Sequence, residues 1–97
     1  MLQYNMIRSW RHKGLKLFYD TGKTSKIQAK HADRLHDILQ ALDIITSPEQ
    51  MNFPGLGFHK LKGDKSEFYS VRVSGNWRVI FAFEEKDVIL IDYMDYH

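Results

Sequence analysis

The chain has 97 residues, 43% of them hydrophobic, and no cysteine. That suits one small domain with one packed core and excludes a disulfide scaffold, thiolate metal sites and cysteine nucleophiles. The net charge is only +2, yet residues 1–34 carry eight Lys/Arg against two Asp, while residues 35–97 carry six basic against ten acidic side chains; such asymmetry fits either a polyanionic partner or solvated helix faces.

No apolar run approaches the roughly 18 residues of a membrane span, and "MLQYNMIRSW" lacks the apolar stretch of a secretory signal. Met6 heads the patterned part of the chain, so residues 1–5 read as an N-terminal extension and 6–97 as a single domain. Ile7 to Trp10 is expected to form a short first strand. "HKGLKLFYDTG" then predicts a helix, with Leu15 and Phe18 at helical spacing and Gly22 as its stop.

"TSKIQAKHADRLHDILQALDIITSP" predicts the longest helix. Ser25 and Gln28 have capping-box spacing, and Pro48 prevents continuation. Leu35, Ile38, Leu39, Leu42 and Ile45 make one apolar stripe, read as the face packed on a sheet. His31 and His36 are poorly aligned for sharing a helix face, so both read as surface residues and not as a metal pair.

After the loop "NFPGLG", the segments "FHKLK", "FYSVRVS", "NWRVIFAFE" and "DVILIDYM" read as consecutive antiparallel strands. Tyr69, Val71 and Val73 share one face of their strand; Trp77, Val79, Phe81 and Phe83 share one face of the next. A three-residue loop, Ser74-Gly75-Asn76, would match these faces, with Val73 opposite Trp77 and Val71 opposite Val79. It also sets Arg72 opposite Arg78 on the less buried face. Directly opposed like charges are unfavourable, so the pair either meets an anion or splays into water.

Several chemistries find no support. There is no phosphate-binding loop, no G-x-S-x-G elbow and no histidine–carboxylate set with metal-ligand spacing. What remains is His59, Lys60, Lys62, Lys65, Arg72, Arg78, Tyr93 and the closing Asp95, Tyr96 and His97. Cations beside imidazoles and phenols fit phosphodiester chemistry, which needs charge stabilisation and proton transfer near neutral pH. Taken singly each signal is weak; His59 alone reads as an ordinary strand histidine.

The combination closely resembles the HigB-like toxins of bacterial toxin–antitoxin modules, in the RelE/ParE superfamily. It is carried by H-x-L-K-G-D at His59–Asp64, V-x-x-N-W-R at Val73–Arg78 and D-Y-H at Asp95–His97, and it extends from Met6 to His97. The resemblance implies an α+β fold, with two N-terminal helices packed on a small antiparallel-dominated sheet of four to five strands. It implies a ribosome-dependent mRNA endonuclease, in which the RNA 2′-hydroxyl attacks its own 3′ phosphate without a metal or other cofactor. The catalytic positions carried over are His59, Lys62, Asp95, Tyr96 and His97. His97 or His59 would take the 2′ proton, Lys62 and Arg78 would hold the phosphate, Tyr96 would stack on or orient a base or the ribose, and Asp95 would position His97. Arg78, Arg72, Lys60 and Lys65 are the expected RNA contacts, and Lys13, Lys16, Lys26, Lys30 and Arg34 the expected ribosome contacts. A helix-turn-helix antitoxin of the HigA type, operator DNA bound through the antitoxin complex and a bacterial cytoplasmic location are implied in the same way. A gyrase-inhibiting toxin of the ParE type, a catalytically inactive antitoxin-binding regulator and a plain RNA-binding module remain as alternatives. The apolar run before the tail makes the last strand a rigid arm, expected to bring Asp95, Tyr96 and His97 to the edge carrying His59 and Lys62.

Overall fold

The computed structural model describes residues 7–96, so the expected extension at 1–5 and the terminal His97 lie outside the described residues. Two helices, α1 (Lys13–Thr21) and α2 (Ala32–Leu42), precede a four-stranded antiparallel sheet of β1 (His59–Lys60), β2 (Phe68–Ser74), β3 (Trp77–Glu84) and β4 (Asp87–Asp95), in the order β1-β2-β3-β4. Each strand thus pairs with its sequence neighbour, the outcome short turns favour. The α+β architecture is the expected one.

Gly22 ends α1 as the sequence implies. Its φ of 81° is left-handed, and its N–H donates to the Phe18 carbonyl at 2.7 Å. At the other end the His12 imidazole accepts the Leu15 N–H at 2.9 Å. Leu35, Ile38, Leu39, Leu42 and Ile45 are all buried, in one core with Leu15, Val71, Val79, Phe81, Val88, Ile91 and Tyr93. Burying each leucine or isoleucine contributes about 1.5–3 kcal/mol over leaving it exposed, so this stripe fixes the helices to one face of the sheet.

Five local expectations are corrected. Ile7 to Trp10 is no strand: it makes two isolated parallel bridges to β4, Ile7 with Val88 and Trp10 with Ile91. The Ser25–Gln28 capping box does not form. A 3-10 turn over Ala29–His31 leads into α2, and the Gln28 N–H goes to the Tyr93 hydroxyl at 3.3 Å. Pro48 does not set the helix end, because α2 stops at Leu42; the Asp43 N–H closes the last turn on the Leu39 carbonyl. Leaving the helix there lets Ile45 turn into the core while Ile44 stays exposed. The β2–β3 connection is a two-residue turn, Gly75-Asn76, with Ser74 opposite Trp77. An irregularity between Arg72 and Ser74 absorbs Val73, which stays buried, and Gly75 supplies the positive φ of 56° at the first turn position. Val71–Val79 and Arg72–Arg78 pair as expected.

His31 is the fifth correction, because it is buried, with 4% of its surface exposed. The 3-10 turn directs it onto the sheet. Its Nδ1 lies 2.7 Å from the Tyr93 hydroxyl, and its ring meets Trp77 edge-on at 5.6 Å. Burial, then the charge of Lys30, lowers its pKa from the ordinary 6.5.

A histidine held neutral in the fold binds fewer protons there than in the unfolded chain. Its contribution is therefore complete above pH 6.5 and lost as pH falls through that value toward the folded pKa. Thermal melts should show wild type losing more stability than His31→Gln between about pH 7.5 and about pH 5.5; parallel curves would contradict the buried neutral ring.

Candidate active site

Beneath β1 and the end of β4 lies the sheet face that the helices leave open. Leu61, Phe68, Ile80 and Ala82 form a second, smaller core there, with Ile89, Leu90 and Met94 packed against it. Strand alternation decides which side chains join them. In β4 that alternation changes phase. Ala82 pairs with Ile89 but Ile80 pairs with Asp92, so β4 holds an extra residue opposite Phe81. Leu90 carries it, with a left-handed φ of 57°. Beyond this bulge Ile91 and Tyr93 turn into the core, while Asp92, Met94 and Tyr96 take the open face.

The tail is held. Trp77 pairs with Asp95, and the Tyr96 N–H donates to the Asn76 carbonyl at 2.8 Å. Tyr96 is thereby fixed through its backbone while 37% of its surface remains exposed. Its ring helps line a shallow depression of about 300 Å³ with His59, Lys60, Leu61 and Lys62. Among the described residues no carboxylate side chain lines that depression, so it suits an anion.

His59 pairs with Ser70 and shares its open face; Lys60 pairs with Tyr69. The His59 Nδ1 lies 3.0 Å from the Gly57 carbonyl. A carbonyl only accepts, so Nδ1 carries the proton and the neutral ring keeps Nε2 as its basic nitrogen. Lys60 also borders the depression, but its ammonium stands 5.3 Å from the centre of the Tyr69 ring, on the helix side. Lys62 precedes the 3-10 turn Gly63–Lys65 and is exposed.

The other expected residues fall around this centre. Arg78 donates to the Gly75 carbonyl at 2.8 Å, and the Arg72 guanidinium lies against Gly57. The opposed arginines therefore diverge, which relieves their repulsion and leaves both on the open face. Asp95 pairs with Trp77 and has the opposite parity to Tyr96, so it does not line the depression. Lys65 lies across Tyr96, in a second depression of about 110 Å³ with Arg11, Phe68, Ile80, Asp92 and Met94. Lys13, Lys16, Lys26 and Lys30 are exposed on the helical half of the chain, with Lys16 paired to Asp20 at 2.7 Å. Arg34 is engaged structurally: it donates to the carbonyls of Gly55 and Arg72.

Arg11, Phe68, Asp92 and Met94 were not legible as site residues. Asp92 and Met94 sit after the bulge, where simple alternation counted from Val88 assigns them to the wrong face. A larger depression, of about 390 Å³, lies elsewhere, between α1 and α2. Asp20 and Asp43 line it, and Asp43 accepts the Tyr19 hydroxyl at 2.6 Å. These carboxylates repel a polyanion, so size alone misleads here.

Comparison with known proteins bears on the same residues. Residues 8–97 match the family described as RelE-like toxin of type II toxin–antitoxin system HigB. The chain is 42% identical over 92 residues to the endoribonuclease HigB of Proteus vulgaris, covering 95% of this chain and all of the relative. Its fold is similar to that of YoeB, solved as a dimer from Staphylococcus aureus, at a TM-score of 0.60 and 16% identity over 95% of this chain and 98% of that one.

The Gly57 contact has a direct spectroscopic consequence. In a ¹⁵N-resolved histidine spectrum above the titration range, His59 should appear as the Nδ1–H tautomer. An Nε2–H signal would contradict the contact and remove Nε2 as a base.

Proposed function

The chain belongs to the HigB family of RelE-like toxins from type II toxin–antitoxin systems, and we propose that it is an endoribonuclease which cuts mRNA on the ribosome through the RNA's own 2′-hydroxyl. One observation carries this reading: a basic imidazole nitrogen, a lysine and an exposed tyrosine ring border one depression that, among the described residues, no carboxylate side chain lines.

The reaction divides among the residues as follows. His59 Nε2 takes the 2′-hydroxyl proton as the 2′ oxygen bonds to phosphorus. The bond from phosphorus to the 5′ oxygen breaks, and that oxygen takes a proton from His97. Lys62 and Arg78 offset the charge that gathers on the non-bridging oxygens, and Arg72, Lys60 and Lys65 guide the flanking phosphates. Tyr96 stacks on a base and aligns the attack, and Asp95 orients His97. The products are a 2′,3′-cyclic phosphate, or the 3′-phosphate formed by its opening, and a 5′-hydroxyl.

A type II toxin has a cognate antitoxin. In this reading the antitoxin is a helix-turn-helix protein of the HigA type, and the complex binds operator DNA. Lys13, Lys16, Lys26, Lys30 and Arg34 supply positive charge toward ribosomal RNA, so ribosome affinity falls with salt as counterions are displaced. No described helix is long and apolar enough to cross a membrane, and translating ribosomes place the activity in the bacterial cytoplasm.

The test is cleavage mapping on programmed 70S ribosomes with analysis of the RNA ends. Cuts within the A-site codon should leave 5′-hydroxyl ends. His59→Gln and deletion of His97 should each slow cleavage by about 10²–10⁴-fold with the fold retained, and Lys62→Ala should lose at least as much. Products with 5′-phosphates would refute attack by the 2′-hydroxyl. Inhibited DNA supercoiling without RNA cleavage would assign the chain to the gyrase-inhibiting class.

A further inference from the structure

Tyr96 borders two depressions, and the catalytic reading uses only one. The second, of about 110 Å³, holds Arg11, Lys65, Phe68, Ile80, Asp92 and Met94 beside the same ring. Its floor is apolar, drawn from the open-face cluster of Phe68 and Ile80 with Met94 packed on it. Arg11 is anchored through its backbone N–H to the Ile91 carbonyl at 2.8 Å, and its guanidinium lies 6.0 Å from the Phe68 ring centre. Asp92 is half-buried, and its Oδ1 accepts the Tyr93 N–H at 2.9 Å. Among the described residues neither Arg11 nor Lys65 forms an ion pair with this carboxylate.

A small slot with an apolar floor beside an aromatic ring, with one carboxylate at its side and two cations at its rim, is an arrangement for a single nucleobase. The geometry points to a base-reading subsite here, in which the nucleotide neighbouring the scissile phosphate inserts its base between Tyr96 and Met94. This rests on the RNA-cleaving reading of the adjacent depression and adds a specificity to it. Asp92 decides that specificity, because a carboxylate only accepts hydrogen bonds. Oδ1 accepts the Tyr93 N–H, which leaves Oδ2 to accept from the base edge. Guanine, with a ring N–H beside an exocyclic amino group, meets it best; adenine and cytosine each offer an amino group; uracil offers only a ring N–H flanked by two carbonyls that repel the carboxylate. Arg11 and Lys65 hold the phosphate of the same nucleotide and add affinity without choosing among bases.

Programmed ribosomes carrying mRNAs that vary one base at a time on each side of the cut provide the test. At one flanking position wild type should cut amino-bearing bases at least about 10-fold faster than uracil. Asp92→Asn keeps the shape and the acceptor for the Tyr93 N–H but presents an amide donor, so the handicap of uracil should shrink by about 10-fold at that position only. Should that variant fail to fold, Asp92→Ser carries the same expectation of lost discrimination. Arg11→Gln should raise the half-saturating concentration and leave the base ranking unchanged. Equal rates for all four bases at both positions, or an unaltered ranking in the Asp92 variants, would overturn the subsite. Wild type that cuts no RNA would instead overturn the cleavage reading itself, so the two failures are told apart.

Discussion

Leu90 holds a left-handed backbone inside a strand, and the placing of the C-terminal residues depends on it. A non-glycine residue there costs about 1–2 kcal/mol and persists only where its neighbours over-determine it. Ser9 provides that constraint. Its hydroxyl accepts the Leu90 N–H at 2.8 Å, and its carbonyl accepts the Ile91 N–H at 3.2 Å. The N-terminal segment therefore acts as a clamp on the bulge. With the phase switched, Val88, Ile91 and Tyr93 all reach the core, and Asp92, Met94 and Tyr96 all reach the open face. A regular strand would have driven Asp92 into the core, where an unpaired carboxylate is strongly disfavoured.

The two faces then divide the work. The helix side is apolar and closed, with His31, Tyr93 and Trp77 packed together beneath the strand ends that carry the tail. Burial keeps both polar members neutral: it lowers the His31 pKa and raises that of Tyr93. The open side has a smaller apolar floor ringed by Arg11, His59, Lys62, Arg72 and Arg78. Strands carry His59, Arg72 and Arg78, and Arg11 and Lys62 flank them, which favours positioned electrostatics. Asp20 and Asp43 line the cleft between α1 and α2.

The sequence displayed most of the framework because its signals were periodic. The α2 stripe, the glycine that stops α1 and the β-strand alternation each have a local physical cause. The opposed arginines followed from register alone. What stayed hidden depended on contacts distant in sequence. His31 reads as a helix-surface residue until Tyr93, which is 62 positions away, supplies its partner. The bulge at Leu90 is invisible in "VILIDY", because an unbroken apolar run hides a change of phase. Ser9, which holds it, is 81 positions away. The His59, Lys62 and Tyr96 grouping was legible through motif resemblance, whereas the depression around Asp92 needed the register.

The central claim is that the RNA strand to be cut meets the open sheet face and not the cleft between α1 and α2. A backbone NMR titration with a short 2′-O-methyl RNA, which cannot undergo the proposed attack, tests it most directly. The account predicts saturable shifts at His59, Lys62, Arg78 and Tyr96, with the cleft between α1 and α2 unmoved. Shifts confined to the cleft around Phe18, Tyr19 and His36 would contradict it.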